Sequence, residues 1–156
     1  MKAMRRNDRE VTDFAEITDI LCRAETIRLG LHGEPYPYVV ALSFGFEALD
    51  DKITLYFHGA TEGLKHDLIQ RNPLVCVETD ILHRYAAVGS NVTSEYESII
   101  GFGKAERISG GEAVKGIDLL LDHCGYNGFE YDKAVLNHTW VYKIELESFT
   151  GKQRTL

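Results

Sequence analysis

The spacing of apolar and polar residues predicts a chain of short strands, with helices inserted near its start, middle and end. Alternating or β-branched apolar runs indicate strands at residues 26–31, 38–46, 53–58, 74–79, 96–108 and 140–149. Helical spacing follows Asp13, covers residues 62–71, and runs from Ser109 to about Cys124. Asp13 is the expected N-cap of the first helix, because Glu16 stands three residues later and completes a capping box.

The order of these elements predicts an α+β domain. Strands and helices do not alternate regularly, so a doubly wound parallel sheet is not expected, and a closed or nearly closed antiparallel barrel is the economical arrangement. Residues 80–94 are polar and mixed and are predicted to form a loop, and residues 151–156 a short polar tail. With 156 residues and no repeat or linker, the chain is expected to form a single domain over residues 1–156.

Charge and composition narrow the range of partners. The formal net charge of −7 argues against binding to nucleic acid or to an anionic membrane, because both reward clustered lysine and arginine. No apolar run approaches the ~20 residues that cross a bilayer, and the N-terminus lacks the apolar segment of a secretory signal. The three cysteines form no CxxC pair, which favours reduced thiols in a cytoplasmic protein and gives no support for a zinc site.

The stretch LYFHGATEGLKHDLI (residues 55–69) changes from strand spacing to helical spacing near its middle and is a candidate anion site. Lys65 falls in the first turn of the predicted helix, where free backbone N–H groups and the helix dipole favour an anion. Thr61 is the expected N-cap, and Gly59 and Gly63 would let a ligand approach the backbone. The alternative is an ordinary strand-to-helix connection with a solvated lysine, which the local pattern alone favours.

Other motifs carry weaker signals. His58 ends the strand before this turn, but a lone histidine is more often a structural residue than a base or ligand, and no HExxH motif indicates a metal. Gly101 and Gly103 do not form a dinucleotide fingerprint, because the next required glycine position holds Glu106 and the pair lies inside a predicted strand. Trp140 could stack on a planar cofactor or fill the core, and composition favours the core.

Several segments, taken in order, resemble the FMN-binding split-barrel proteins related to pyridoxamine 5′-phosphate oxidase, and within them the nitroimidazole-resistance (nitroimidazole reductase) branch. The segments are MRRNDREVTD (4–13), EITDIL (16–21), PYVVALSFGFE (37–47), LYFHGATEGLKHDLIQRNP (55–73), YESIIGFGKAERI (96–108) and ESFTGK (147–152). Single motifs are weakly specific, but the ordered set covers nearly the whole chain. Its most specific part is the histidine–glycine–alanine turn with the lysine that follows it.

The resemblance implies a six-stranded antiparallel split β-barrel with a few peripheral helices, a homodimer, and FMN in each of two clefts between subunits. It places the flavin and its ribityl chain along Tyr38, Val39, Val40, Ala41, Leu42 and Ser43, with Phe57, His58, Gly59 and Ala60 at the next strand end. It assigns Lys65 to the FMN phosphate and Ser98 to the edge of the isoalloxazine ring, with backbone from Ile99 and Ile100 beside it. Trp140 would face the flavin from the second subunit.

The resemblance also implies a function: FMN-dependent reduction of a small acceptor such as a nitroimidazole or another nitroaromatic. NADH or NADPH is the candidate electron donor, and His58 a proton donor or orienting residue. Synthesis of pyridoxal phosphate is not expected, because Leu64 replaces an arginine of the oxidase and residues 142–153 lack its C-terminal arginine and histidine. Two alternatives stay open: a flavin-binding carrier or sensor without turnover, and a split barrel with another cofactor, such as haem or a deazaflavin.

Overall fold

Antiparallel pairing of eight strands dominates the structure, a computed structural model that describes residues 4–156. The strands are β1 (Glu10–Val11), β2 (Ile27–Leu31), β3 (Tyr38–Leu42), β4 (Gly45–Leu49), β5 (Lys52–Ala60), β6 (Leu74–Val88), β7 (Asn91–Ile108) and β8 (Thr139–Arg154). The α-helices are α1 (Phe14–Arg23), α2 (Leu64–Arg71) and α3 (Gly110–His123), and short 3₁₀ helices cover Asn7–Arg9 and Lys133–His138. The predicted α+β class and split-barrel architecture are confirmed, with eight strands in place of six.

The sheet has the strand order β3-β2-β6-β7-β8-β5-β4, and β1 pairs with β8 outside this path. The two outer strands, β3 and β4, are consecutive in the chain and are joined only by Ser43 and Phe44. Three Cα–Cα steps span at most about 11 Å, so the two edges of the sheet must approach each other at this link. The sheet therefore curls into a barrel that stays open where β3 and β4 part.

The barrel interior is filled by the alternate residues that the period-two pattern places on one face of each strand. Leu29, Leu55 and Ile144 are 0% exposed, and burying each such side chain contributes about 1.5–3 kcal/mol. Helix α1 covers one end of the barrel with its buried apolar stripe. As predicted, Asp13 is the N-cap of α1, and its carboxylate accepts a hydrogen bond from the backbone N–H of Glu16 at 2.9 Å.

A second, smaller apolar cluster lies between α3 and the outer face of the sheet. Helix α3 comes so close to β4 that a Cβ atom on Gly45 would lie 2.5 Å from the carbonyl carbon of Leu119. Only a residue without a side chain fits at this position. The close approach of α3 to β4 therefore requires glycine at position 45.

Residues 80–94 are not a loop, so that prediction is wrong. They form the outer half of a long hairpin in which β6 and β7 stay paired as far as Val88 opposite Asn91. Gly89, with a φ of 61°, turns the chain, and the register shifts between Leu82 and Arg84. Most side chains of this hairpin are exposed on both faces, so no alternation of apolar and polar residues distinguishes it from a loop.

Two further predicted boundaries are wrong. The predicted strand 38–46 is two strands, because the chain leaves one edge of the sheet at Ser43 and joins the other edge at Gly45. The predicted polar tail 151–156 contains the end of β8, and Gly151 pairs with both Val11 and Ile99. Only a small residue fits there, since a Cβ atom on Gly151 would lie 2.8 Å from the Cβ of Val11.

Within residues 4–156, no helix combines the length and the apolar character needed to cross a membrane. Cys22, Cys76 and Cys124 are free thiols.

Candidate functional site

The last four residues of β5 have a free backbone edge where the barrel is open. Strand β4 pairs with β5 only as far as Gly45 opposite Tyr56, whereas β8 stays paired with β5 up to Thr139 opposite Ala60. Strand β3 pairs with β2 on one side and with no other strand of the described residues. Because two link residues join β3 to Gly45, β3 continues towards this end of β5. The opening, called the split below, is bordered by two edges whose N–H and C=O groups are free for a ligand.

Lys65 lies at the split because α2 begins there. Helix α2 starts at Leu64 with Gly63 as its N-cap, at a φ of 128° and with no side-chain cap hydrogen bond, so the prediction that Thr61 caps the helix is wrong. The Lys65 side chain folds back over β5, and a Cβ atom on Gly59 would lie 2.7 Å from the Lys65 Nζ. The missing side chain of Gly59 therefore makes room for the lysine ammonium.

The charge of Lys65 has no partner within residues 4–156. The side chain is partly buried, and desolvation lowers its pKa from the ordinary value. It forms no ion pair or hydrogen bond with another described residue, and its nearest charge-stabilising contact is the Phe57 ring, with the Nζ 5.6 Å from the centroid. A desolvated cation without an anion is costly. The arrangement is suited to binding an anion.

His58 stands on the same strand end, opposite Val141 of β8. Its side chain is exposed, yet partial desolvation by the surrounding protein lowers its pKa, and the positive charge of Lys65 lowers it further. The imidazole is therefore uncharged at neutral pH. In that form it offers a ligand one N–H donor and one acceptor nitrogen.

Beneath Lys65 lies a layer of stacked side chains that the sequence did not indicate. His66 is 5% exposed, and its Nδ1 is 3.0 Å from the hydroxyl oxygen of Tyr142. The Tyr142 ring stacks on Phe57 with centroids 5.1 Å apart and planes 6° apart. Trp140 meets the His66 ring edge-on at 5.2 Å. Burial lowers the pKa of His66, and the charge of Lys65 adds to this effect.

Arg107 is a second cation of the site that sequence reasoning missed. It lies on β7 opposite Tyr142 of β8, and its guanidinium carbon is 4.0 Å from the centroid of the Trp140 ring. Paired residues on neighbouring strands place their side chains on the same face of a sheet. The only signal in the sequence was the period of two that puts Trp140 and Tyr142 on one face, and it does not identify the residue across the strand.

Most of the predicted site residues border the split. Val39, Ala41 and Ser43 carry exposed side chains, and the intervening Tyr38, Val40 and Leu42 pack against the core. Phe57 is completely buried, so it can offer a ligand at this edge only its backbone. Trp140 lies opposite Gly59 in the pairing of β5 with β8, which places it at the same strand end.

Ser98, Ile99 and Ile100 do not border the split of their own chain. They lie where β7 pairs with both β6 and β8, and Ile100 is opposite Thr150. The part of β8 from Trp140 to Thr150 has a contour length of about 33 Å. Ile99 is 3% exposed and belongs to the core, whereas the side chain of Ile100 is 43% exposed. Along β8, these residues are therefore remote from the end of β5.

Comparison with known proteins gives one family match and several similar solved structures. Residues 13–153 match the family described as pyridoxamine 5′-phosphate oxidase. No curated protein matches the chain. Among solved structures, a protein from Bacteroides thetaiotaomicron that is provisionally assigned to 5-nitroimidazole antibiotic resistance is 29% identical, with a TM-score of 0.81. That match covers 92% of this chain and 85% of the other.

Two more distant solved structures share the fold. The flavocytochrome Anf3 from Azotobacter vinelandii is 18% identical, with a TM-score of 0.81 over 99% of this chain and 73% of that one. An FAD-binding protein from Mesorhizobium loti is 19% identical, with a TM-score of 0.68 over 94% of this chain and 98% of that one. The family match and the Bacteroides structure confirm the resemblance found in the sequence.

Proposed function

Because the chain belongs to the pyridoxamine 5′-phosphate oxidase family, we propose that it is a flavoprotein that binds FMN at the split and reduces a small acceptor such as a nitroimidazole. The observation that carries the proposal is Lys65, a partly buried cation without a counter-charge among residues 4–156, in the first turn of α2. A phosphate monoester supplies the missing negative charge, and the N–H groups at the start of α2 add donors.

The edges of the split suit the rest of a flavin. An isoalloxazine ring carries carbonyl acceptors and an N–H donor along one edge, which complement the free N–H and C=O groups of β3 and β5. Gly59 and Ala60 carry no bulky side chain that would hold the ring away from the backbone. FMN, when bound, supplies the electron-transfer chemistry, while the protein binds it, orients it and sets its surroundings.

The residues of the chain then have separate tasks. Each turnover takes a hydride from NADH or NADPH and one proton from solvent, and the acceptor gains two electrons and two protons. His58 orients the acceptor through the N–H of its neutral imidazole, and it passes on a proton that it takes up from solvent during the reaction. Lys65 has no part in the chemistry and holds the phosphate.

A homodimer completes the proposed site. In this proposal, Ser98 and Ile100 contact the flavin of a second copy, and Ile100 belongs to an outer sheet face on which Phe102 is 36% exposed and Leu74 52% exposed. Neighbouring apolar side chains of this kind, left in water, favour association. We propose that this face covers the split of the partner, so that each dimer holds two flavins.

Synthesis of pyridoxal phosphate is not part of the proposal. Leu64, beside Lys65, is 52% exposed and brings no second cation to the phosphate. The C-terminal half of β8 carries no histidine, and its Arg154 pairs with Tyr96 far from the split. The likeness to the Bacteroides protein supports an acceptor of the nitroimidazole class instead.

The first experiment is an absorption spectrum of the purified protein, followed by extraction and chromatography of the pigment. We expect FMN, and a Soret band or extracted FAD would contradict the cofactor assignment. The yellow protein is then mixed anaerobically with NADH or NADPH, and a nitroimidazole is added afterwards. Bleaching of the flavin followed by recovery of its colour supports the reductase. Retained FMN without bleaching by either nucleotide favours the second candidate, a flavin carrier or sensor.

The variant Lys65→Met tests the phosphate assignment directly. We expect it to bind FMN about 10- to 100-fold more weakly, the range for loss of a charge-assisted hydrogen bond, and to bind riboflavin as the parent protein does. Lys115→Met is the matched control, because Lys115 of α3 is 52% exposed and already pairs with Glu47 of β4. Full FMN occupancy of Lys65→Met after dialysis would show that Lys65 is not the anchor.

A further inference from the structure

Arg107 stacks on the tryptophan that is paired with Gly59, the residue over which the Lys65 side chain lies. Trp140 lies opposite Gly59, above which the Lys65 Nζ lies, and the guanidinium of Arg107 stacks on its ring at 4.0 Å. Burial lowers the pKa of His66 and raises the pKa of Tyr142, and the charge of Arg107 adds to the first shift and opposes the second. Its positive charge is therefore felt inside the layer of rings beneath Lys65.

Arg107 has no carboxylate partner among the described residues, whereas the neighbouring cation Lys143 has three. Lys143, on the opposite face of β8, lies 2.9 Å from Glu112, 3.5 Å from Glu145 and 4.0 Å from Glu106. Arg107 forms no ion pair or hydrogen bond with any residue between 4 and 156, although Glu106 is its neighbour in sequence. Because successive side chains of a strand point to opposite faces, Glu106 and Glu145 lie on the outer face of the sheet with Lys143. Arg107 lies on the opposite face, with Trp140.

We propose that Arg107 is the second cationic anchor of the site and that it binds, together with Lys65, the phosphate end of the flavin. The inference rests on the proposed function and assigns a residue that neither the sequence motifs nor the family match identifies. Stacking uses only the face of a guanidinium. Its in-plane N–H donors stay free and have the spacing of two phosphate oxygens.

A phosphate monoester needs more than Lys65 at this site. The ester is a dianion at neutral pH, and the residue next to Lys65 is the uncharged, exposed Leu64. Arg107 reaches the site from β7, two strands away from Gly59, and Trp140 holds its guanidinium flat. The fixed orientation lowers the entropy that an arginine loses on binding an anion.

Trp140 is the only tryptophan of the chain, so its fluorescence reports on this cluster alone. The test compares the parent protein with Arg107→Gln, Arg107→Lys and the control Lys143→Met, which removes a cation of the same sheet that carboxylates already neutralise. FMN and riboflavin are titrated separately into flavin-free protein, and quenching of Trp140 emission gives the two affinities.

We expect Arg107→Gln to bind FMN about 10- to 100-fold more weakly while its riboflavin affinity is unchanged. Arg107→Lys keeps the charge but loses the planar fork, so a smaller loss is expected, again for FMN alone. Lys143→Met keeps the preference of the parent protein for FMN over riboflavin. Equal losses for both flavins would assign Arg107 to packing on Trp140 only, and an unchanged FMN affinity would overturn its role altogether. If Arg107→Gln does not fold, Arg107→Lys decides between these outcomes.

A titration with inorganic phosphate tests the anion site independently of flavin binding, so it distinguishes failure of this inference from failure of the proposed function. At constant ionic strength, phosphate should shift Trp140 emission of the parent protein and of Lys143→Met in a saturable way, and should not shift that of Arg107→Gln. A parent protein that binds no flavin but shows this difference contradicts the flavoprotein proposal and supports the anion site. No phosphate response in the parent protein, or the same response in Arg107→Gln, overturns the inference.

Discussion

Removing the hydroxyl of Tyr142 should cost more stability than removing any other tyrosine hydroxyl of the barrel. The Tyr142→Phe change preserves the stack on Phe57 but takes away the oxygen 3.0 Å from Nδ1 of His66. His66 is 5% exposed, so water cannot replace the lost partner. A buried polar group left without a partner costs about 1–3 kcal/mol. For a chain of this size, about 2 kcal/mol corresponds to a fall of about 4–8 °C in Tm.

Tyr131→Phe is the matched control, because the hydroxyl of Tyr131 is buried near the Asp118 carboxylate without a well-formed hydrogen bond within residues 4–156. Its removal should leave the free energy of unfolding unchanged or raise it by up to about 1 kcal/mol. Both variants are unfolded in urea at one protein concentration and above pH 7, where His66 is neutral. Equal losses of stability in the two variants would refute the claim that the His66–Tyr142 hydrogen bond stabilises the site.

Three further changes have expected outcomes. The hydrogen bond from Arg23 lowers the pKa of Glu97 to about 2, so this contact stabilises the protein above the unfolded pKa of 4.5 and is lost as the pH falls towards 2. Glu97→Gln should lower the free energy of unfolding at pH 7 by about 2 kcal/mol and flatten its decline in acid, as urea titrations would show. Lys65→Met should raise the pKa of His58 in an NMR titration, because it removes a nearby positive charge. Gly45→Ala should cost about 1–3 kcal/mol or more in a thermal melt, since its Cβ meets the backbone of α3.

Each of these changes has a control within the chain. Glu145→Gln alters a side chain that is 72% exposed and should leave the acid decline as it is. Lys115→Met should leave the titration of His58 unaltered, because Lys115 already pairs with Glu47. Gly111→Ala places a methyl group where no atom lies within 4 Å and should be neutral or mildly stabilising. If a variant gives the same measured stability or pKa as its control, the contact assigned to that residue does not have the proposed effect.

The sequence predicted well wherever a strand buries one face. The alternation in β2, β5 and β8 located the core, and Asp13 and Glu16 marked the start of α1 because a capping box is a purely local device. Prediction from the sequence failed where an element depends on contacts between residues that are distant in the chain. The exposed hairpin of β6 and β7 buries neither face, and the break at Ser43 depends on which sheet edge the next strand joins.

The same distinction applies to the candidate site. Lys65 could be identified because strand, turn, glycine and lysine follow one another in the chain, and the family resemblance supplied the rest. His66, Tyr142 and Arg107 come from three elements and meet only through strand pairing and the packing of α2. No spacing in the sequence encodes such contacts, since the register between β7 and β8 is a property of the folded sheet.

The short link of Ser43 and Phe44 has a consequence for how the protein behaves before a ligand arrives. Unpaired strand edges attract strands from other molecules and promote aggregation. The link holds two such edges side by side in one chain, at β3 and at the end of β5. A flavin bound as proposed would shield both edges from other chains. We therefore expect the flavin-free protein to aggregate more readily than the flavin-bound protein.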